Sequence, residues 1–458
     1  MEAEKKSSFR RWLLAVVAFL AVAAAIIAGT VVLSQRPHYD VAPAALPRPD
    51  EPVMVEASPP ATPVDLTEVK KAAKDRQLGR LSAEITDLET GEVIYANNEG
   101  KHLVPASSTK VYTTAAALLA KGPQDRLATS VVKGGPGELI LVGEGDITLA
   151  RKPGSGFFTD APAISDLADQ VRRALPAEEL KKITKITVDN SMREKSTFHK
   201  SWDLVEIGMG NVTFLDSVMI DAGRIIPTEN YSARSNTPAR DVAQALAEDM
   251  GLGEKLKSKK LKLEVSDDPV GPAHPTAEEA LGQVLSAPLS TRLRDMMLHS
   301  DNMLAEAVGR EVAISQDLPG TFKGATEGVL KVLKDNGVDT EGAVLHDTSG
   351  MSEDNRLSAH NLNSALGSKK LHALQQDLPV AGAEGALRNR YLAGSGAEDA
   401  AGWVRAKTGF LDGVNALAGT VVTKSGRPLS FAFLSNTPAD VGDGREALDR
   451  LAAAVYRL

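Results

Sequence analysis

The sequence predicts a mixed α/β (α+β) fold: an antiparallel sheet flanked by helices, interrupted by an inserted second domain and preceded by a transmembrane helix. Three observations carry this. Alternating apolar runs near both ends of the folded part can pair in one sheet, a long stretch between them has strands and helices of its own, and residues 12–33 contain no charge. At 458 residues the chain exceeds one typical domain of about 150 residues. Its 43% hydrophobic and 24% charged residues are the composition of a folded protein, and a net charge of -8 offers no basic footprint for nucleic acid. Cysteine is absent, which excludes disulfides, a thiolate nucleophile and Cys-type metal sites.

Residues 1–11 hold Lys5, Lys6, Arg10 and Arg11 and read as a cytoplasmic tail. The uncharged run 12–33, at about 1.5 Å per residue, is long enough for the roughly 30 Å hydrocarbon core. After it, Asp40, Asp50, Glu51 and Glu56 dilute Arg36 and Arg48, so the positive-inside bias leaves everything after Leu33 outside the cell membrane, behind a single-pass anchor. The rival is a cleaved signal peptide ending at Ala23 or Ala25, whose apolar core normally runs about 7–15 residues. Residues 34–66 are rich in Pro and Ala and read as a semi-rigid linker, the alternative being a disordered tail with no spacing role.

From Thr67, "TEVKKAAKDRQL" reads as helix and "GRLSAEITDLETGEVIYANN" as a hairpin around Thr90 and Gly91. At the other end, "VNALAGTVVTKSGRPLSFAFLSN" reads as two strands turning at Ser425 and Gly426, and "GREALDRLAAAVYRL" as an amphipathic helix. Between them, residues 128–275 form the expected insertion, with strands at "GELILVG", "ITKITVDN" and "DSVMID" and a helix at "ARDVAQALAEDMG". That leaves 67–127 and 276–458 for the outer domain.

Three short motifs follow in order: Ser107-Ser-Thr-Lys110, Ser300-Asp-Asn302 and Lys407-Thr408-Gly409. A serine nucleophile needs an amine base beside its hydroxyl, and one helical turn sets residues three apart on one face. Ser107 has that turn, with Val111, Ala115, Leu118 and Leu119 at helical spacing and a stop at Lys121-Gly-Pro. Ser130-Val-Val-Lys133 fits the same pattern by accident, but it reads as a strand, where such a pair points to opposite faces. Ser300 and Asn302 break an apolar, Met-rich helical stretch, and Lys407-Thr-Gly suits an edge strand lining a cleft. Each motif alone fits a helix cap or a surface strand; the ordered set is the signature of penicillin-binding proteins and class A β-lactamases.

The surrounding segments narrow this. "PASSTKVYTTAAALLAKGPQDRLATSV", "LVGEGDITL", "ITVDNSMRE", "PLSTRLRDMMLHSDNMLAEAVGRE", "HDTSGMSEDNRLSAHNL" and "RAKTGFLDGVNALAGTVVTKSGRPLSFAFLSN" resemble the D-Ala-D-Ala carboxypeptidases of the DacB or penicillin-binding protein 4 type, from about Leu66 to Leu458. The resemblance implies a β-lactamase/transpeptidase-like sheet and a serine DD-peptidase that acts on peptidoglycan stem peptides and is acylated by β-lactam antibiotics. Its span between Ser107 and Ser300 is far longer than in class A β-lactamases, and no Glu-x-x-x-Asn element lies between Asn302 and Lys407 to deacylate a penicillin.

By resemblance, Ser107 attacks the penultimate D-Ala carbonyl, Lys110 takes its proton, Ser300 passes a proton to the leaving D-Ala and Asn302 holds the substrate amide. Lys407 and Thr408 bind the terminal carboxylate. The backbone N–H groups of Ser107 and Phe410, the residue after Gly409, form the oxyanion hole. Phe410 departs from the family, which usually has a hydroxyl residue there. Bringing Lys110 from about 10.4 to near 7 costs about 4 kcal/mol, to be met by burial and by repulsion from Lys407. Asp146 matches an acidic family position facing the stem peptide's side-chain amine, or is a plain Gly-Asp turn; Ser349 to Ser352 either wall the cleft or form only a turn. The eight histidines show no metal-ligand spacing, so neither metal nor other cofactor is expected. The competing readings are a wall-peptide-binding scaffold, which Phe410 favours, and a β-lactamase.

Overall fold

The computed structural model describes residues 64–193, 198–436 and 444–458. The expected cytoplasmic tail, membrane anchor and nearly all of the linker lie outside the described residues. Among those described, no helix is long and apolar enough to cross a membrane.

Helix α1 (Thr67–Ala72) and a turn capped by Asp75 lead into β1 (Arg80–Asp87) and β2 (Val93–Asn97). α2 (Lys110–Lys121) ends at Gly122, and β3 (Ala128–Lys133) and β4 (Glu138–Gly143) follow. Next come α3 (Ile164–Ala174), β5 (Lys185–Asp189), α4 (Val205–Met209), α5 (Pro238–Asp249), β6 (Lys262–Ser266) and β7 (Ala280–Leu285). The chain closes with α6 (Leu289–His299), α7 (Asn302–Ser315), α8 (Phe322–Asp335), α9 (Ala359–Leu366), β8 (Val404–Leu411), β9 (Val414–Val422), β10 (Pro428–Asn436) and α10 (Arg445–Tyr456).

One sheet has the order β2-β1-β10-β9-β8 and is antiparallel throughout, so strands from the two ends of the folded chain pair side by side, Arg80 opposite Asn436 and Asp87 opposite Leu429. Its central strands are buried on both faces, and the period-2 alternation divides them between two cores. Ala416, Ala418, Ala432 and Leu434 face the core that holds α2, α7 and α9. Leu417, Val421, Phe431 and Phe433 face the core of α10 and α1. Small residues on the first face let α9 and the Ser107 segment lie close to the sheet.

The second sheet has the order β6-β5-β4-β3-β7. β4, β5 and β6 run parallel, and their crossovers pass through α3 and α5, as parallel neighbours require. β3 is antiparallel to β4 and β7. This sheet takes in β7, which lies beyond residue 275, the expected end of the insertion. The strand expected at "DSVMID" is reduced to one bridge, Leu149 with Ile220, because Asp221 and Ala222 turn into the left-handed region at φ 47° and 52°.

Candidate active site

Ser107 lies on a single 3₁₀ turn, Ala106–Thr109, with α2 starting at Lys110, so the expected helical turn is present in its tighter form. The neighbouring hydroxyls tie this turn down: Ser108 Oγ donates to Pro105 O at 2.7 Å and Thr109 Oγ1 to Ala106 O at 2.9 Å. Ala106 is held at φ 47°, a conformation unfavourable for a side chain that the packed surroundings sustain. Two glycines admit the turn. A Cβ on Gly409 would stand 2.6 Å from Pro105 O, and one on Gly350, itself at φ 85°, 1.9 Å from Ala106 O.

Lys110 is wholly buried, and its Nζ donates to Ser107 Oγ at 3.1 Å, Asn302 Oδ1 at 2.7 Å and Ser349 O at 2.7 Å. Those three acceptors match the three hydrogens of an ammonium. Burial pulls its pKa down to about 8, against the opposing pull of Asp347, Asp301 and Glu306. Lys407, equally buried on edge strand β8, donates to Ser300 Oγ at 2.9 Å and to Thr408 O at 2.8 Å. Burial and then Lys110 hold Lys407 well below the ordinary lysine range. The repulsion expected from Lys407 is mutual, and it disfavours both lysines carrying a charge at once.

The polar break in the Met-rich helical stretch is real. α6 ends with Ser300 at φ 54°, and Asp301 caps α7 by accepting from Leu304 N at 2.8 Å. Ser300 and Asn302 face the cleft. Asp301 faces inward, where Oδ2 meets Arg224 Nη2 at 2.6 Å and Arg234 Nη2 at 3.2 Å, all three residues buried. Burial would raise its pKa, but Arg234 and Arg224 outweigh that and hold it far below the usual carboxylate range.

Ser107, Ser300, Asn302, Thr408, Gly409 and Phe410 thus line one cleft of about 420 Å³. A second cavity of about 520 Å³ shares Tyr231, Ser300 and Ala386 with it. Phe410 is half exposed, with the Arg445 guanidinium 4.6 Å above its ring. Gly350 and Met351 line the cleft, whereas Ser349 and Ser352 at the ends of that segment are buried.

Asp146 is not brought there. It is buried, and its Oδ1 accepts from Thr148 N at 2.8 Å and Thr148 Oγ1 at 2.6 Å, the Gly-Asp turn of the bland reading. Burial, the largest influence, raises its pKa. The carboxylate at the cleft is Glu206, beside Asn211, whose backbone O accepts from Asn302 Nδ2 at 3.3 Å and whose Nδ2 donates to Glu206 Oε2 at 2.6 Å. Glu206, Asn211 and Tyr231 come from the insertion, and no spacing in the sequence ties them to the motifs. Glu306 was findable, since it follows Asn302 by four residues on one helix face. Among the described residues no group of three His, Cys, Asp or Glu side chains is placed to hold a metal.

The model of the D-Ala-D-Ala carboxypeptidase 3 (S13) family matches residues 66–250 and 231–455. Carboxypeptidase DacB of Mycolicibacterium smegmatis is 40% identical over 461 residues, 96% of this chain and 95% of its own. A D-alanyl-D-alanine carboxypeptidase of an Actinomadura species is 29% identical, with 77% of each chain covered. In three dimensions, penicillin-binding protein 4 (DacB) of Haemophilus influenzae superposes with a TM-score of 0.65 over 85% of this chain and 99% of its own, at 21% identity. The same protein has also been seen with a bound β-lactam.

Proposed function

Since the chain belongs to the D-Ala-D-Ala carboxypeptidase 3 (S13) family and is a serine-type D-Ala-D-Ala carboxypeptidase, we propose that it acts through an acyl-enzyme on Ser107 and also as an endopeptidase. The observation that carries this is Lys110 Nζ at 3.1 Å from Ser107 Oγ, anchored by Asn302 and Ser349. Lys110, neutral once it gives up its proton, takes the hydroxyl proton of Ser107 as Oγ attacks the penultimate D-Ala carbonyl. Ser300 gives its hydroxyl proton to the leaving amine and takes one in return from the Lys407 ammonium that donates to its Oγ, while Lys110 keeps the proton of Ser107. The N–H groups of Ser107 and Phe410 receive the oxyanion, and Asn302 the substrate amide. An arriving carboxylate at Thr408 favours the charged form of Lys407, so the free C-terminus restores the cation that binds it.

The adjoining cavity past Ser300 supports leaving groups larger than one D-Ala, including a peptide arm of a crosslink in peptidoglycan. The same reading makes the protein β-lactam-sensitive. We further propose that residues 12–33 anchor it in the cell membrane, with residues 34–66 as the spacer and the cleft outside. The domain division then becomes an outer catalytic part and an insertion running from residue 128 to β7. The test is labelling of the full-length chain with a fluorescent penicillin beside Ser107→Ala. A stable adduct in the parent chain and none in Ser107→Ala is expected; no adduct in either overturns the acyl-enzyme in favour of a wall-peptide-binding scaffold. Fast turnover of a chromogenic cephalosporin would make it a β-lactamase.

A further inference from the structure

Below Lys110 lies a carboxyl group for which the acylation chemistry has no use. Glu306, on α7, is completely buried. Its Oε1 accepts from Thr348 N at 3.0 Å and Ser349 N at 2.8 Å, and its Oε2 lies 3.0 Å from Thr348 Oγ1. Ser349, held in this way by its N–H, is the residue whose carbonyl takes Lys110 Nζ.

The hydrogens can be counted. Thr348 Oγ1 has one hydrogen and stands near two acceptors, Glu306 Oε2 and, at 3.1 Å, Ala305 O. If Glu306 is ionised, one of these contacts sets oxygen lone pairs face to face in a site from which water is excluded, which is costly. A hydrogen on Oε2 satisfies both: Glu306 donates to Thr348, Thr348 donates to Ala305, and both N–H groups keep Oε1.

The charged neighbours pull in both directions, and Asp347 pulls with this count. Asp347, on the same loop, accepts only N–H donors: Gly350 N at 2.8 Å, Ser352 N at 2.6 Å, Asn355 Nδ2 at 2.8 Å and Trp202 Nε1 at 3.1 Å. Such a set suits a carboxylate, and two carboxylates in one dry site repel. Burial and then Asp347 raise the pKa of Glu306 to about 7; Arg310, one turn further along α7, and the hydrogen bonds from Ser349 and Thr348 oppose them. Lys110 reaches the cluster from α2, and Asp301 stands at the head of α7.

We propose that Glu306 works as a neutral carboxylic acid, a positioning residue that aims the Ser349 carbonyl at Lys110 without setting another negative charge beside the base. A charge there would stabilise the ammonium and oppose its loss of a proton. The inference rests on Lys110 being the base for Ser107.

Infrared difference spectra of the full-length chain, parent minus Glu306→Gln at neutral pH, should show the C=O stretch of a protonated carboxylic acid. Thr348→Val, which removes the acceptor of that O–H, should move the band to higher frequency. Glu306→Ala leaves two buried N–H groups unpaired and should slow penicillin acylation by about tenfold or more. Glu306→Gln, with an amide oxygen for both N–H groups and an N–H for Thr348, should recover most of that rate with the pH profile in place. A carboxylate stretch alone overturns the proposal, as does a Glu306→Gln profile displaced to lower pH or a rate as low as that of Glu306→Ala. If Glu306→Ala fails to fold, the spectra and the Glu306→Gln profile still decide. If the parent chain forms no adduct, the reading of Ser107 and Lys110 fails instead, while the spectra still report the proton on Glu306.

Discussion

The two sheets solve different problems. The β2-β1-β10-β9-β8 sheet joins strands from opposite ends of the folded chain and carries Lys407, Thr408, Gly409 and Phe410 on its edge strand. The β6-β5-β4-β3-β7 sheet is built from one continuous stretch, has its parallel strands on the β6 side and places none of its own strand residues at the cleft. Its contribution comes from the loops packed beside it: Asn211 meets Asn302, and Arg224 and Arg234 meet Asp301. The comparison teaches that chemistry depends on a few exact contacts at one sheet edge, while the insertion acts through the charges and walls it delivers there.

The largest effect should come from the catalytic side. Lys110→Ala should lower penicillin acylation by about 10²–10⁴-fold in stopped-flow labelling. In the parent chain, acylation should climb with pH through about 8, because only the neutral amine accepts a proton and burial sets its loss there. A flat profile would remove Lys110 from the base role. Next comes the tie between the two regions. Asp301→Asn strips the carboxylate from two buried arginines and should destabilise the fold by about 3–5 kcal/mol in urea unfolding. The sign of the pH dependence follows. Asp301 has a depressed folded pKa, so its stabilisation is present above the unfolded value of about 3.9 and fades as pH falls below it. Unaltered stability in Asp301→Asn would show that the regions are not joined through this carboxylate. The smallest effect on chemistry is expected from the second sheet's own core: Leu141→Ala should cost about 2–5 kcal/mol of stability and leave the acylation rate of the folded protein unchanged. A slowed rate would mean that the second sheet reaches the cleft by more than its loops.

Much of the catalytic region was legible from the sequence because local chemistry determines it. The Ser107 turn, the break at Ser300 and the edge strand of Lys407 are each written in a few adjacent residues, and so are the terminal hairpins. The insertion was legible only as alternating elements. The strand expected at "DSVMID" was lost to two left-handed residues that no apolar pattern reveals. Asp146 stayed open between two readings for a related reason. A Gly-Asp pair looks the same whether the carboxylate faces solvent, substrate or its own turn, and here Thr148 takes its Oδ1.

By itself, then, the sequence determined the three ordered motifs at Ser107–Lys110, Ser300–Asn302 and Lys407–Gly409 and the family they point to, since short-range spacing is enough to define them. Tertiary structure alone decided which groups surround them. Lys110 and Ser349 lie far apart in the chain, as do Asn302 and Asn211, and Asp301 and Arg224, and each pair meets only when the chain has packed. The same packing excludes water, and that exclusion shifts the two lysines and raises Glu306. A residue's type is local information; its dielectric surroundings and hydrogen-bond partners belong to the whole fold.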